Sequence, residues 1–509
     1  MNEIASTVCD IVWSPVLVYL LLATGLYFSI RSRFVQLRMV GEMTRLMFQQ
    51  RSDNTGVSSF QALSMTLAGR VGTGNIAGVA TAICFGGPGA LFWMWVVAFL
   101  GASSAFVEST LGQIYKEKID GESTGGPAFY LEHGARMKVF AWVFAIVTLI
   151  ASGILCPGVQ SNAIAESMKH AFGIEPTVSA AVVCSLLSFI VFGGLKRIAS
   201  FTTVVVPFMA LSYIVVALIT VFYNIEHIPD VFALIIKSAF GLDSAFGAMV
   251  GTAVSWGVKR GLYSNEAGQG SGPHASSAAS VSHPAKQGLV QAFSVYIDTW
   301  FVCTATGLMI LLTGCYNVIL PDGQAIFSGL LGTNAGPVYV QKSIDVVMPG
   351  FGSPFVACAL FFFAFTTILS YAYMAETNIK YINRKLKKRW LVYVGRFVLV
   401  VSIGVCAINP ASIVWLCADI GIGLMAWLNI FAILRLHNVA FKALKDYEEQ
   451  RKTGIEPVFH PEKLGIANAD YWSGDRAEEN LILENQEGVE NQPASRGVRR
   501  LLERFYNRD

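Results

Sequence analysis

The sequence predicts an all-α polytopic membrane protein of about eleven transmembrane helices, ten of them in two inverted halves of five behind one extra N-terminal helix. Three observations lead there. Of 509 residues, 54% are hydrophobic and only 14% charged, and the mean hydropathy of +0.53 is too high for an ordinary soluble domain. Eleven stretches are long enough to cross a hydrocarbon core of about 30 Å, which takes roughly 20 mainly apolar residues. Two of these stretches, five apart in order, are rich in glycine at corresponding places. Interrupted segments at matching positions of two halves point to a transporter site at their interface. Five helices per half is an odd count, so the halves must be inverted.

In chain order the stretches are 14–32, 60–85, 89–114, 139–168, 176–194, 200–223, 240–263, 286–315, 354–384, 390–409 and 412–437. The first follows Glu3 and Asp10 with no basic run ahead of it, so it stays as a helix rather than being cleaved as a signal peptide. Residues 1–59 thus hold an outer N-terminus, an extra helix and a basic connector, residues 60–235 the first repeat, and residues 236–437 the second. Residues 438–509 read as a charged, solvated cytoplasmic tail with a short helix near Val498 to Tyr506. The loop from Tyr316 to Ser353 is long enough to lie over the outer mouth.

Orientation follows the basic residues of the loops. Those after odd-numbered helices carry Arg31, Arg33, Arg38, Arg45 and Arg51, then Lys116, Lys118, Arg136 and Lys138, then Lys196 and Arg197, and finally the cluster from Lys380 to Arg389. The alternate loops hold only Lys169, Lys237 and Lys342. The N-terminus is expected outside and the C-terminus in the cytoplasm of a bacterial-type inner membrane. A net charge of +3 leaves no nucleic-acid footprint. Nine cysteines lie in or beside apolar stretches without a C-x-x-C pair, and read as small core residues.

The chain is organised around Leu67-Ala-Gly-Arg-Val-Gly-Thr-Gly-Asn75. Gly69, Gly72 and Gly74 accept backbone angles other residues resist, while Arg70 and Asn75 are costly at membrane depth. The helix is expected to break here, which lipid tolerates only where the freed backbone groups are buried in protein or line a wet cavity. The half-helix after Gly74 offers N–H groups and a positive dipole end to a carboxylate; the half ending near Gly69 offers carbonyls to Na⁺ or an ammonium. Phe246-Gly-Ala-Met-Val-Gly-Thr-Ala-Val-Ser-Trp-Gly257 is a weaker echo on helix 7. The two breaks together suit a zwitterion.

Elsewhere, Thr366 and Thr367 either cage a Na⁺ with carbonyls or bond back to their own helix. Gln160 and Asn162 follow the loosened Cys156-Pro-Gly158 and either bind a polar substrate or fasten helices together. Glu108, Asp298, Glu376 and Asp419 are acids within or near spans, each a candidate ion ligand or a partner for a base such as Arg70 or Arg396. The absence of a Walker A motif, an H-E-x-x-H motif and a nucleophile elbow argues against an ATP-driven pump or an intramembrane protease. An ion gradient is then the energy source, with a channel or a sensor as the rival classes.

Gly86-Gly-Pro-Gly-Ala-Leu-Phe-Trp-Met-Trp-Val-Val-Ala-Phe-Leu-Gly101 resembles the signature of the alanine or glycine:cation symporters, the sodium:alanine symporter family. Arg70 to Ala80, Thr124 to Tyr130, Gly261 to Gly268 and His283 to Leu289 resemble further blocks of it. The resemblance implies a LeuT-type fold for helices 2 to 11 and uptake of a small neutral amino acid, chiefly alanine or glycine, with co-transported Na⁺ and no organic cofactor. It implies that Val71, Gly72, Thr73, Gly74 and Asn75 face the substrate carboxylate and that Gln160, Met249 and Tyr371 touch the substrate. Ala68 and Val71 carbonyls with Thr366 and Thr367 would hold Na⁺. Glu266 is expected in a gate with Arg70, Lys259 or Arg260. Where Tyr371 stands many members have Trp, and the smaller ring leaves room for glutamine or serine as the alternative substrate. The remaining partner is the lipid bilayer, and the sequence leaves the oligomeric state open, a monomer being compatible with it.

Overall fold

The structure is a computed structural model and describes residues 2–49, 56–242, 246–388 and 390–473. Among the described residues, eight helices are long and apolar enough to cross a membrane. The other three expected crossings are helix 5 (Pro176–Val191, 16 residues) and the two interrupted ones, helices 2 and 7. Helix 1 is Pro15–Arg31, helix 3 Gly89–Ile114, helix 4 Lys138–Phe172, helix 6 Gly194–Tyr223 and helix 8 Pro284–Thr313. Helix 9 is Gly352–Leu386, helix 10 Trp390–Ala407 and helix 11 Ala411–Lys452. The connections hold two short hairpins, Glu117–Ile119 with Glu122–Thr124 and Asn317–Ile319 with Ala325–Ser328, each antiparallel.

Burial separates inner helices from outer ones. In helices 3, 8 and 9 some 67%, 67% and 72% of the apolar window is buried, against 33% in helix 6 and 17% in helix 10. Helix 6 shows Val204, Phe208, Leu211, Val215 and Phe222 on one exposed stripe at helical spacing, as a lipid-facing surface requires. Helices 3 and 8 approach so closely that a side chain at Gly288 would collide with Thr110 and lie 2.9 Å from the Phe106 carbonyl.

Helix 2 starts with a capping box, Ser58 accepting from the Gln61 N–H while the Gln61 side chain accepts from Ser58 N–H. It stops at Arg70, because Val71 leaves the helical region (φ −81°, ψ 89°). It resumes as a π-helical turn, Gly74–Gly78, and runs on as Val79–Gly86. Similar π segments interrupt helix 4 at Ala151–Leu155 and helix 8 at Ile297–Cys303. Such bulges gather at functional sites, and those of helices 2 and 8 meet.

Two expectations are corrected. The break in helix 7 does not fall within 246–257: the helix runs unbroken over Val250–Asn265, and the chain unwinds afterwards at 266–271 before the short helix Gly272–Ala278. The reason is backbone geometry. Glu266, Gly268 and Gly270 have φ of 55°, 86° and 91°, whereas Gly251 and Gly257 lie inside the helix, Gly257 packed against Ala90 and Trp93. Residues 438–473 are not a solvated tail, because helix 11 continues to Lys452 and the following segment folds back under the bundle. There Phe459 and Trp472 are buried, Phe459 N–H donates to the Ser282 carbonyl (3.0 Å), and Trp472 Nε1 donates to the Gln113 carbonyl (3.0 Å). The short helix expected near Val498 to Tyr506 lies outside the described residues. The loop between helices 8 and 9 carries a helix, Pro337–Val347, whose Tyr339 packs against Cys84 at the end of helix 2.

Candidate functional site

The break in helix 2 faces helices 4, 7, 8 and 9. A side chain at Gly72 would collide with Thr367 and lie 3.0 Å from Gln160 Oε1, and one at Gly74 would lie 3.2 Å from Tyr263 and Ser264. Small residues here are therefore required by close approach. The freed N–H groups are met by side-chain oxygens: Gly72 N–H donates to Asn75 Oδ1 (2.8 Å) and Thr73 N–H donates to Gln160 Oε1 (3.1 Å). Gly72, Thr73, Asn75 and Gln160 are thus brought together as expected.

On the other side of the break, Thr367 Oγ1 lies 2.8 Å from the Ala68 carbonyl, 3.4 Å from that of Val71 and 2.9 Å from that of Phe363. One hydroxyl proton serves only one of three carbonyls, so the cluster is rich in uncommitted oxygen lone pairs, as a hard cation prefers. Thr366 is not part of it. Its hydroxyl bonds back to Phe362 and Phe363 carbonyls and turns toward Met209 on helix 6. Adjacent residues on a helix point about 100° apart, so only one of the pair can face helix 2. Ser370, one turn further, does face it and donates to the Met65 carbonyl (3.0 Å).

Met249 is placed away from the break. It occupies the turn before helix 7 and packs near Gly87, at the far end of helix 2. Asn162 fastens helix 4 to the Cys406 and Asn409 carbonyls (3.1 and 2.7 Å) and takes no part in the site. Tyr371 is buried and approaches Glu266 from helix 9. The gate pairing expected of Glu266 does not form. Lys259 and Arg260 pair with Asp419 instead, at 2.8 and 3.0 Å. Arg70 donates to the Gln291 carbonyl (3.0 Å) and to Ser294. Both Glu266 oxygens lack a hydrogen-bond partner among the described residues, although Ser271 and Tyr371 come close.

Sequence reasoning left Asp298 as one acid among four, and Ser264 unnoticed. Asp298 accepts from Asn75 Nδ2 (2.6 Å), Ser264 Oγ (2.9 Å) and Thr299 Oγ1 (2.7 Å), tying the break to helices 7 and 8. Asn75 three residues beyond the break's last bend was a signal, since a buried amide needs a partner. Glu108 is structural: it accepts from Gly268 and Gly270 N–H and from Asn429 Nδ2, which holds the unwound segment of helix 7.

The arrangement is one broken helix with oxygens at one end and N–H groups at the other, walled by four further helices. The model of the sodium:alanine symporter family matches residues 1–461. The chain belongs to this family. Among members, the putative sodium/proton-dependent alanine carrier protein of Bacillus subtilis is 56% identical over 472 residues, covering 93% of this chain and 98% of the relative. The sodium/proton-dependent alanine carrier protein of Bacillus sp. strain PS3 is 49% identical, covering 84% and 97%. Among solved structures, MhsT in complex with L-phenylalanine superposes with a TM-score of 0.52 at 16% identity, covering 74% of this chain and 89% of that one. That likeness carries the fold, LeuT-type, and the family is one of integral membrane transporters.

Proposed function

We propose that this symporter-family chain takes up a small neutral amino acid, alanine foremost, driven by co-transported Na⁺. The observation that carries the reading is the position of Thr367 Oγ1 among the carbonyls of Ala68, Val71 and Phe363, one turn from the N–H groups at Gly72 and Thr73. Na⁺ is cargo at the first cluster. The substrate carboxylate displaces the Asn75 and Gln160 oxygens from the break's N–H groups, and the substrate's small side chain turns toward Tyr263.

Ion and substrate then share one segment of backbone. Na⁺ on the Ala68 and Val71 carbonyls fixes the unwound shape, and that shape aims the N–H groups. Each ligand therefore tightens the other, and by linkage the coupling is reciprocal. Residues 60–235 and 236–437 act as the two repeats that rock about this site, with the N-terminus outside. The Arg260–Asp419 pair closes the outer side, whereas the gate first expected at Glu266 was on the cytoplasmic side.

Equilibrium binding of labelled alanine to the purified protein, titrated with Na⁺ and with choline as control, tests this. Affinity for alanine rising with Na⁺, and competition by glycine and serine ahead of glutamine, supports the reading. Alanine binding indifferent to Na⁺ overturns the cation assignment, and glutamine outcompeting alanine overturns the substrate.

A further inference from the structure

We propose that the cytoplasmic junction of helices 4, 9 and 10 is a binding site for one anionic phospholipid. Two cavities meet there. One, of about 980 Å³, lies at the membrane surface and is lined by five basic side chains against three acidic ones. The other, of about 250 Å³, lies deeper and is lined wholly by apolar residues of helices 4, 9 and 10. The two alternate along the same stretch of chain. Ile379 lines the deep one and Lys380 the surface one; Leu391 and Val394 line the deep one, Val392, Tyr393 and Arg396 the surface one. An amphiphile with an anionic head and an acyl chain spans them.

The deep groove owes its shape to Gly153 in the π segment of helix 4 and to Gly395, where a side chain would run into Ile379. Ile154, Val394 and Val398 are partly exposed at its rim, on the surface that faces lipid. The surface cavity sits at headgroup level, flanked by exposed Trp390 and Tyr393, residues suited to the interface. Its ion pairs take up two of the three lining acids, Glu117 and Glu376, and Asp120 forms none among the described residues. Arg396 and Lys380 hold Glu376 at 2.7 and 3.3 Å, Lys380 holds Glu122 at 2.7 Å, and Arg384 holds Glu117 and Glu132. Lys387 and neighbouring Lys388 are exposed and form no ion pair among the described residues. These two lysines against the one unpaired acid, Asp120, leave positive charge at the membrane surface, the chemistry that basic pockets between membrane helices use for anionic headgroups.

Native mass spectrometry of the full-length protein in detergent tests the site, with titrations of dioleoyl phosphatidylglycerol, dioleoyl phosphatidylcholine and inorganic phosphate. The first phosphatidylglycerol adduct should form at about tenfold lower concentration than the phosphatidylcholine adduct. Lys387→Glu should cut that preference roughly fivefold or more, as loss of a surface-level positive charge implies. Val398→Phe, which fills the groove's rim, should weaken adducts of both lipids. Equal retention of both lipids by the unaltered protein overturns the proposal. So does displacement of phosphatidylglycerol by millimolar phosphate, which marks a soluble-anion site, or lipid-free dimers that Val398→Phe dissociates, which mark a groove filled by a second copy.

Discussion

Arg260 grips Asp419 with two prongs, Nη1 to Oδ1 at 3.0 Å and Nη2 to Oδ2 at 3.2 Å, and its guanidinium lies 4.6 Å from the ring centroid of Trp415. Both side chains are almost wholly buried, at 5% and 4% exposure, and Lys259 adds a second cation to the same carboxylate. Tyr263, one turn along helix 7, packs on Trp415 at a tilt, with ring centroids 4.9 Å apart, and lies against Gly74. The pair thus closes one side of the break, roofed with aromatic rings.

Asp419→Asn leaves two buried cations facing a neutral amide. Removing one partner of a buried pair costs roughly 3–5 kcal/mol. Alanine uptake should fall at least tenfold while a cysteine introduced near the outer mouth gains reactivity. Unchanged reactivity would remove the pair's gating role.

Thr367→Ala should raise the Na⁺ concentration for half-maximal uptake roughly tenfold or more, since losing an interaction with a charged group costs about 1.5–3 kcal/mol. Thr366→Ala should change it little, because that hydroxyl serves its own helix. A Na⁺ titration of both variants decides it. Equal effects would restore the symmetric pair that adjacent threonines suggest.

Gly72→Ala should abolish substrate binding while the protein still reaches the membrane. Its methyl group would collide with Thr367 and press on Gln160 Oε1 at 3.0 Å. Labelled-alanine binding that survives with unaltered affinity would show that the break does not hold the substrate.

How much of this was legible in the sequence follows from the reach of each rule. Hydropathy gave eleven crossings and the glycines of helix 2 gave its break, because both are local signals. The second break escaped because Gly251 and Gly257 look alike to Gly268 and Gly270 in sequence, while only the latter pair takes positive φ. Thr366 and Thr367 are likewise equivalent until the helix's rotation is known. The fold-back of 454–473 depends on Phe459 and Trp472 finding long-range partners, which composition does not encode.

Trp472→Ala removes a fully buried ring from the folded-back segment, along with its hydrogen bond to Gln113. Large-to-small changes of this kind cost about 3–5 kcal/mol. The unfolding midpoint should drop by several degrees, and limited proteolysis should clip the chain after Lys452. Resistance equal to that of the unaltered protein would mean the segment does not clasp the bundle.

The central claim is coupling, and its most direct measurement is uptake of labelled alanine into proteoliposomes with an inward Na⁺ gradient, against choline at matched pH and potential. The account predicts accumulation above equilibrium with the Na⁺ gradient alone, lost in Thr367→Ala at low Na⁺ and recovered at high Na⁺. Alanine that equilibrates equally in choline would contradict it.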